Sequence, residues 1–212
     1  MLPALERRHD VLAPTLAGHA GGPPVEPGAL SDATLADAVE LALDEAGFGV
    51  VDVAGNSLGG YVALQLAARG RASTVVAFAP AGGWALGDES YRETLAAQAE
   101  LLELMKRIAP LACGDDLIAH QMLGVAAAPA AASMLEHALR EGWTIEPERI
   151  TCPVRVVWGT EDPLLRWPAA AERYRQEWLP HADWVVLEGV GHSPQLDVPL
   201  EAAELILGFT TD

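Results

Sequence analysis

A chain of 212 residues, half of them apolar and a fifth charged, can bury one sizeable core while keeping its surface wet, which excludes disorder of the whole chain. Its formal charge of −17, from 30 acids against 13 bases, opposes phosphate backbones and anionic membrane surfaces and argues against a nucleic-acid role. Cys113 and Cys152 have no disulfide-framework spacing, residues 1–8 lack the apolar stretch of a signal peptide, and no apolar run approaches the roughly 18 to 20 residues that cross a bilayer, so the expectation is a soluble, cytoplasmic protein.

Taken in chain order, residues 11–13 (Val-Leu-Ala) are a weak strand candidate, followed by a loop rich in Gly and Pro at residues 18–28. From Leu35 the apolar residues Leu35, Ala38, Val39, Ala42, Leu43 and Ala46 line one face of a helix that Ser31 can cap and Gly47 can end. Residues 50–54 (Val-Val-Asp-Val-Ala) are short, β-branched and nearly all apolar, as expected for a buried parallel strand. A helix over residues 58–69, closed by Gly70, leads to a second such strand at residues 74–79, the spacing of a right-handed parallel crossover.

Between Trp84 and Ile150 the alternation stops, and helical patterns appear around residues 89–108, 115–123 and 130–140. Strand signals return at residues 154–158 and 184–187, separated by a helix that Pro168 can open and Pro180 follows. The pattern predicts an α/β fold: a mostly parallel sheet with flanking helices, a core made of residues 1–83 and 151–212, and a helical insertion at residues 84–150.

The chemistry concentrates at three strand ends. Gly55-Asn56-Ser57-Leu58-Gly59 follows a strand and opens a helix, a turn tight enough to strain the serine backbone and expose its hydroxyl, with glycines on either side removing side chains that would clash. The helix N-terminus points amides towards developing negative charge. A serine hydroxyl is a poor nucleophile until a base takes its proton. Gly189-Val190-Gly191-His192-Ser193-Pro194 supplies a histidine just past the last strand, a position that none of His9, His19, His120, His137 and His181 shares. The base needs a carboxylate to fix its tautomer. Asp162, in Gly159-Thr160-Glu161-Asp162-Pro163 after the preceding strand, is the candidate, with Glu161 its neighbouring rival.

These three motifs in the order Ser, acid, His make the chain resemble the α/β-hydrolase superfamily over about residues 3–209. The resemblance implies a serine hydrolase with Ser57 as nucleophile, His192 as general base, Asp162 as orienting carboxylate and the Leu58 amide as an oxyanion-hole donor. It implies that residues 84–150 are the cap that covers the site, where Trp84, Trp143, Met105, Met122 and Met134 are pocket candidates with ordinary packing as the alternative. His19, in Leu16-Ala17-Gly18-His19-Ala20, matches a loop histidine that is usually structural. Members of the superfamily carry, before the region where this chain starts, three strands and a His-Gly loop that donates the second oxyanion amide, so the expectation is a fragment or a start codon assigned too late. The expected reaction is hydrolysis of a small carboxylic ester or related acyl substrate through an acyl-enzyme, without metal or organic cofactor. Cleavage of a carbon–carbon bond in vinylogous diketones is a second reading, since Gly-Asn-Ser-Leu-Gly-Gly resembles the elbow of such hydrolases, and a non-catalytic relic is a third. An Asp at position 57 would have pointed to dehalogenase or epoxide chemistry, and Ser57 speaks against both.

Overall fold

The computed structural model describes residues 1–19, 21–26, 30–84, 89–108, 137–138 and 140–210. Four parallel strands follow one another across the sheet in chain order: β1 (Val51–Asn56), β2 (Ala72–Phe78), β3 (Val154–Gly159) and β4 (Asp183–Leu187). The α-helices described from end to end are α1 (Leu2–Leu5), α2 (Asp32–Glu45), α3 (Leu58–Ala68), α4 (Glu89–Ile108), α5 (Pro194–Asp197) and α6 (Pro199–Leu207). The sheet with helices around it bears out the α/β expectation.

Local chemistry explains the boundaries. Ser31 Oγ accepts the Thr34 amide at 3.1 Å and so caps α2, while Gly47, at φ +78°, turns the chain out of it with its own amide on Asp44 O. β2 and β3, each flanked by a strand on both sides, are almost wholly buried, whereas β1 and β4 lie at the sheet ends and are only partly covered. The acid inside β1 is satisfied across the ladder: Asp52 Oδ1 accepts Ser73 Oγ at 2.6 Å and Thr74 Oγ1 at 2.7 Å. On one face, Val76 and Phe78 of β2 and Val157 of β3 cluster with Leu5 of α1 and Ala202, Ala203 and Ile206 of α6. Alternate residues of a strand share a face, so Val76 and Phe78 meet the same helices.

The chain divides into two compact units. One consists of Met1–Ala13, Glu40–Ala85 and Trp143–Asp212 and holds the whole sheet. The other consists of Pro14–Val39 and Leu86–Gly142. In it Tyr91 of α4 is buried and donates its hydroxyl to Ala138 O at 2.8 Å.

Two expected elements differ. Residues 11–13 form no strand, and Val11 and Leu12 are 38% and 39% exposed. A strand exists only where a neighbour shares its hydrogen bonds, and among the described residues β2 is the sole partner of β1. The helix expected between Pro168 and Pro180 forms over residues 169–178 but is irregular: a 3-10 turn, Ala169–Ala171, passes through Glu172 and Arg173 into a π turn, Tyr174–Trp178. The cause is an approach by Gly83, which draws the Arg173 amide onto its own carbonyl and away from a helical bond one turn back. A Cβ on Gly83 would lie 1.9 Å from Ala170 O, so glycine alone permits that approach. The helical patterns at residues 115–123 and 130–140 fall, except for residues 137, 138 and 140, outside the described residues. No helix among the described residues is long and apolar enough to cross a membrane.

Candidate active site

Ser57 stands between β1 and α3 at φ +55° and ψ −118°, a conformation that costs a non-glycine residue on the order of 1–3 kcal/mol unless its surroundings enforce it. The surroundings do so from both sides. Its amide donates to Phe78 O at 2.8 Å, and its carbonyl accepts the Ala81 amide at 3.0 Å and the Tyr61 amide at 3.0 Å. The end of β2 and the loop after it therefore hold the turn in place. Leu58 is the first residue of α3, so its amide has no carbonyl one turn back in the helix to bond.

The glycines of this turn are unequal. A Cβ on Gly55 would lie 2.2 Å from Gly59 O, and one on Gly60 would press Gly55 O at 3.1 Å and Pro80 at 3.2 Å, but one on Gly59 would meet nothing within 4 Å. The steric need for glycine on both sides of the serine is thus met by Gly55 and Gly60, and Gly59 contributes its backbone alone. Gly55→Ala is expected to cost about 3 kcal/mol or more, because backbone must move, whereas Gly59→Ala stays within about 1 kcal/mol of wild type. Urea unfolding midpoints of the two variants check this; equal midpoints would refute it.

The other two candidates meet directly. His192 Nδ1 lies 2.7 Å from Asp162 Oδ2, with the Asp162 side chain wholly buried. The second oxygen, Asp162 Oδ1, accepts the amides of Leu164 and Leu165 at 2.8 Å each, which fixes the carboxylate plane. Trp158, fully buried, donates Nε1 to Leu165 O at 2.8 Å and ties the same loop to the core. Glu161, the neighbouring acid, is exposed; its amide bonds Val190 O. With Thr160 N on Leu187 O and Gly189 N on Thr160 Oγ1, that bond zips the loops after β3 and β4 together. A Cβ on Gly159 would lie 2.1 Å from Val190 O, so this junction admits no side chain there.

Among the described residues no hydrogen bond joins Ser57 Oγ to the His192 ring. The two are linked through Asn56, whose Nδ2 donates to Phe78 O at 3.1 Å and to His192 O at 2.9 Å. Gln195 of α5 donates to Asn56 Oδ1 at 3.1 Å, and Asp197 Oδ2 accepts the Gly191 amide at 2.9 Å. Sequence reasoning passed over these three. Asn56 lies inside the Gly55–Gly59 motif and Gln195 follows His192 by one short turn, but a polar side chain beside a motif carries no signal of its partner.

The remaining candidates lie elsewhere. Trp84 and Trp143 are each less than a tenth exposed. The Trp143 ring packs edge-on against Tyr61 at 4.6 Å and covers Gly82, and the Tyr61 hydroxyl bonds Thr144 O. Arg173 Nη1 reaches the carbonyls of both Trp84 and Trp143, at 3.4 and 3.3 Å, and so gathers the ends of the second and third chain segments that meet in the sheet-bearing unit. Met122 and Met134 lie outside the described residues, as does the side chain of Met105. Of the other histidines, His19 Nδ1 contacts Ala17 O at 3.2 Å and His9 Nε2 contacts Thr210 Oγ1 at 3.2 Å; His120 lies outside the described residues.

Comparison with known proteins gives a consistent picture. The sequence model of the alpha/beta hydrolase family matches residues 1–205. The chain is 33% identical over 204 residues to the epoxide hydrolase EphH of Mycobacterium tuberculosis, a match covering 85% of this chain and 95% of that protein. Among solved structures, the meta-cleavage product hydrolase CumD of Pseudomonas fluorescens superposes with a TM-score of 0.73 at 19% identity, covering 98% of this chain and 81% of that one. A thermophilic esterase of Thermogutta terrifontis superposes with a TM-score of 0.67 at 20% identity, covering 91% of this chain and 76% of that one. At these identities the two superpositions are likenesses of fold.

Proposed function

The chain belongs to the alpha/beta hydrolase family and is a hydrolase, and from that premise we propose that it cleaves a small carboxylic ester or related acyl substrate, with Ser57 as nucleophile, His192 as general base and Asp162 as the carboxylate that orients the base. The observation that carries this reading is the 2.7 Å contact of a wholly buried Asp162 carboxylate with His192 Nδ1, at the end of the sheet where the strained turn presents Ser57. An Nδ1–H held by the carboxylate leaves Nε2 with its lone pair free, the tautomer that can take a proton from a serine hydroxyl. Ser57 Oγ attacks the acyl carbon as its proton passes to His192. The ring then protonates the leaving alcohol, and the Leu58 amide faces the developing oxyanion. Water, deprotonated by the same ring, releases the acid and restores Ser57.

The epoxide hydrolase relative raises a second reaction, and the chemistry of Ser57 favours the first. Attack of a serine oxygen on an epoxide carbon would leave an alkyl ether, which offers water no carbonyl to attack. A carboxylate nucleophile would leave an ester, which water can cleave. Position 57 holds a hydroxyl, so turnover on acyl carbon is the reading its chemistry supports.

The test is to treat the protein with a fluorophosphonate, locate the label by peptide mass, and assay p-nitrophenyl esters from acetate to octanoate beside an aryl epoxide. Label on Ser57 alone with ester turnover is the expected result. Epoxide opening without ester turnover, or label on another residue, would overturn the proposal.

A further inference from the structure

We infer that Asn56 and Gln195 are positioning residues that set where the His192 ring stands relative to Ser57; the inference rests on the Ser57, His192 and Asp162 reading above. The polarity of the pair is fixed by its neighbours. The Asn56 atom that approaches Phe78 O at 3.1 Å and His192 O at 2.9 Å faces two carbonyl oxygens, which only accept, so it is the amide nitrogen with both hydrogens engaged. Asn56 Oδ1 is thereby turned to α5, where it accepts Gln195 Nε2 at 3.1 Å. That leaves Gln195 Oε1 as a buried acceptor without a hydrogen-bond partner among the described residues. A buried unpaired acceptor is costly, and it is tolerated here because flipping the Gln195 amide would set two oxygens against each other.

The geometry separates two tasks. Asp162, through Nδ1, sets the rotation of the imidazole ring. Asn56 sets the location of the backbone that carries it. One carbonyl, Phe78 O, receives both the Ser57 amide at 2.8 Å and the Asn56 side chain, and that side chain also holds His192 O. The elbow and the histidine loop are therefore pinned to a single point on β2 by a residue bonded covalently to Ser57. The other hydrogen bonds of the histidine loop to its neighbours, Gly189 N to Thr160 Oγ1, Glu161 N to Val190 O, Gly191 N to Asp197 Oδ2 and His192 Nδ1 to Asp162 Oδ2, reach the acid loop and α5, and none of these reaches β1 or β2. Without the donor at position 56, the ring keeps its orientation and loses its distance to Ser57.

Asn56→Asp and Asn56→Leu keep the size of the side chain and remove the donor; Gln195→Met keeps its length and leaves Asn56 Oδ1 unpaired. The rate of fluorophosphonate labelling, kcat and KM on a p-nitrophenyl ester, and the thermal midpoint are measured for each. Both Asn56 variants are expected to slow labelling and kcat by about 10²-fold, the scale of an ångström-sized misplacement, with KM within about threefold of wild type. Gln195→Met is expected to slow both by roughly 5- to 10-fold, less because the donor itself is kept. Asn56 variants that label and turn over like wild type overturn the inference, as does a loss confined to KM. If the Asn56 variants do not fold, an unimpaired Gln195→Met overturns it. A wild type that takes no label at Ser57 overturns the serine reading and this inference with it. A labelled wild type with unaffected variants overturns this inference alone.

Discussion

Asp162→Asn is expected to lower ester turnover by about 10⁴-fold while leaving the fold intact, the scale seen when a triad carboxylate becomes an amide. The reason lies in which oxygen is already committed. Asp162 Oδ1 accepts two backbone amides, from Leu164 and Leu165, at 2.8 Å each, and these require an acceptor. In the asparagine variant the carbonyl oxygen takes that place and the NH2 group faces His192 Nδ1. Two donors cannot share that contact, so Nδ1 gives up its hydrogen and Nε2 carries it, the tautomer that cannot accept a proton from Ser57. Glu161→Gln, at an exposed side chain, is expected to stay within about twofold of wild type. Turnover of a p-nitrophenyl ester by both variants checks the assignment; a larger loss in Glu161→Gln would move the role to the other acid.

His192→Ala is expected to cost on the order of 10⁴ to 10⁶ in turnover, since no other imidazole is hydrogen-bonded to Asp162 among the described residues. Removing the ring also deprives Asp162 Oδ2 of its partner in a site where that carboxylate is wholly buried. Breaking a buried pair from one side is destabilising by several kcal/mol where no water replaces the partner. The loss of activity is therefore accompanied by a lower urea midpoint. Asp162→Asn, which keeps both contacts of Oδ1, should unfold later than His192→Ala. A His192→Ala protein that unfolds like wild type would show that Asp162 Oδ2 finds another partner.

The strands were legible because parallel strands covered on both faces are written as short apolar, β-branched runs, as in Val75, Val76, Val156 and Val157. The Asp162–His192 contact was legible for a related reason: both residues follow a strand directly, and neighbouring strands in a parallel sheet deliver their ends to one place. The irregular helical bonding near Arg173 was not, since it depends on Gly83, distant in sequence, offering a carbonyl from a different loop. Residues 11–13 misled because a short run of apolar residues describes a segment that could be buried, while a strand also needs a neighbour with free hydrogen-bonding groups. Gly59 was given a steric role that belongs to Gly60, a distinction set by the path of α3 against Pro80 and invisible in residue type. The Asn56 bridge joins residues 136 apart, and nothing in local pattern announces such a pair.

The strand order β1-β2-β3-β4 has a kinetic side. β1 and β2 are joined through α3, and β3 and β4 through residues 160–182, so each pair can form from nearby chain. The β2–β3 seam must close the whole span from Ala79 to Pro153, the slowest kind of contact for a chain to find, because loop entropy is lost before any packing is gained. Ser57 belongs to the first pair; Asp162 and His192 belong to the second. On the proposed roles, closing the β2–β3 seam is therefore the step expected to bring the candidate nucleophile to the same end of the sheet as its candidate base and acid.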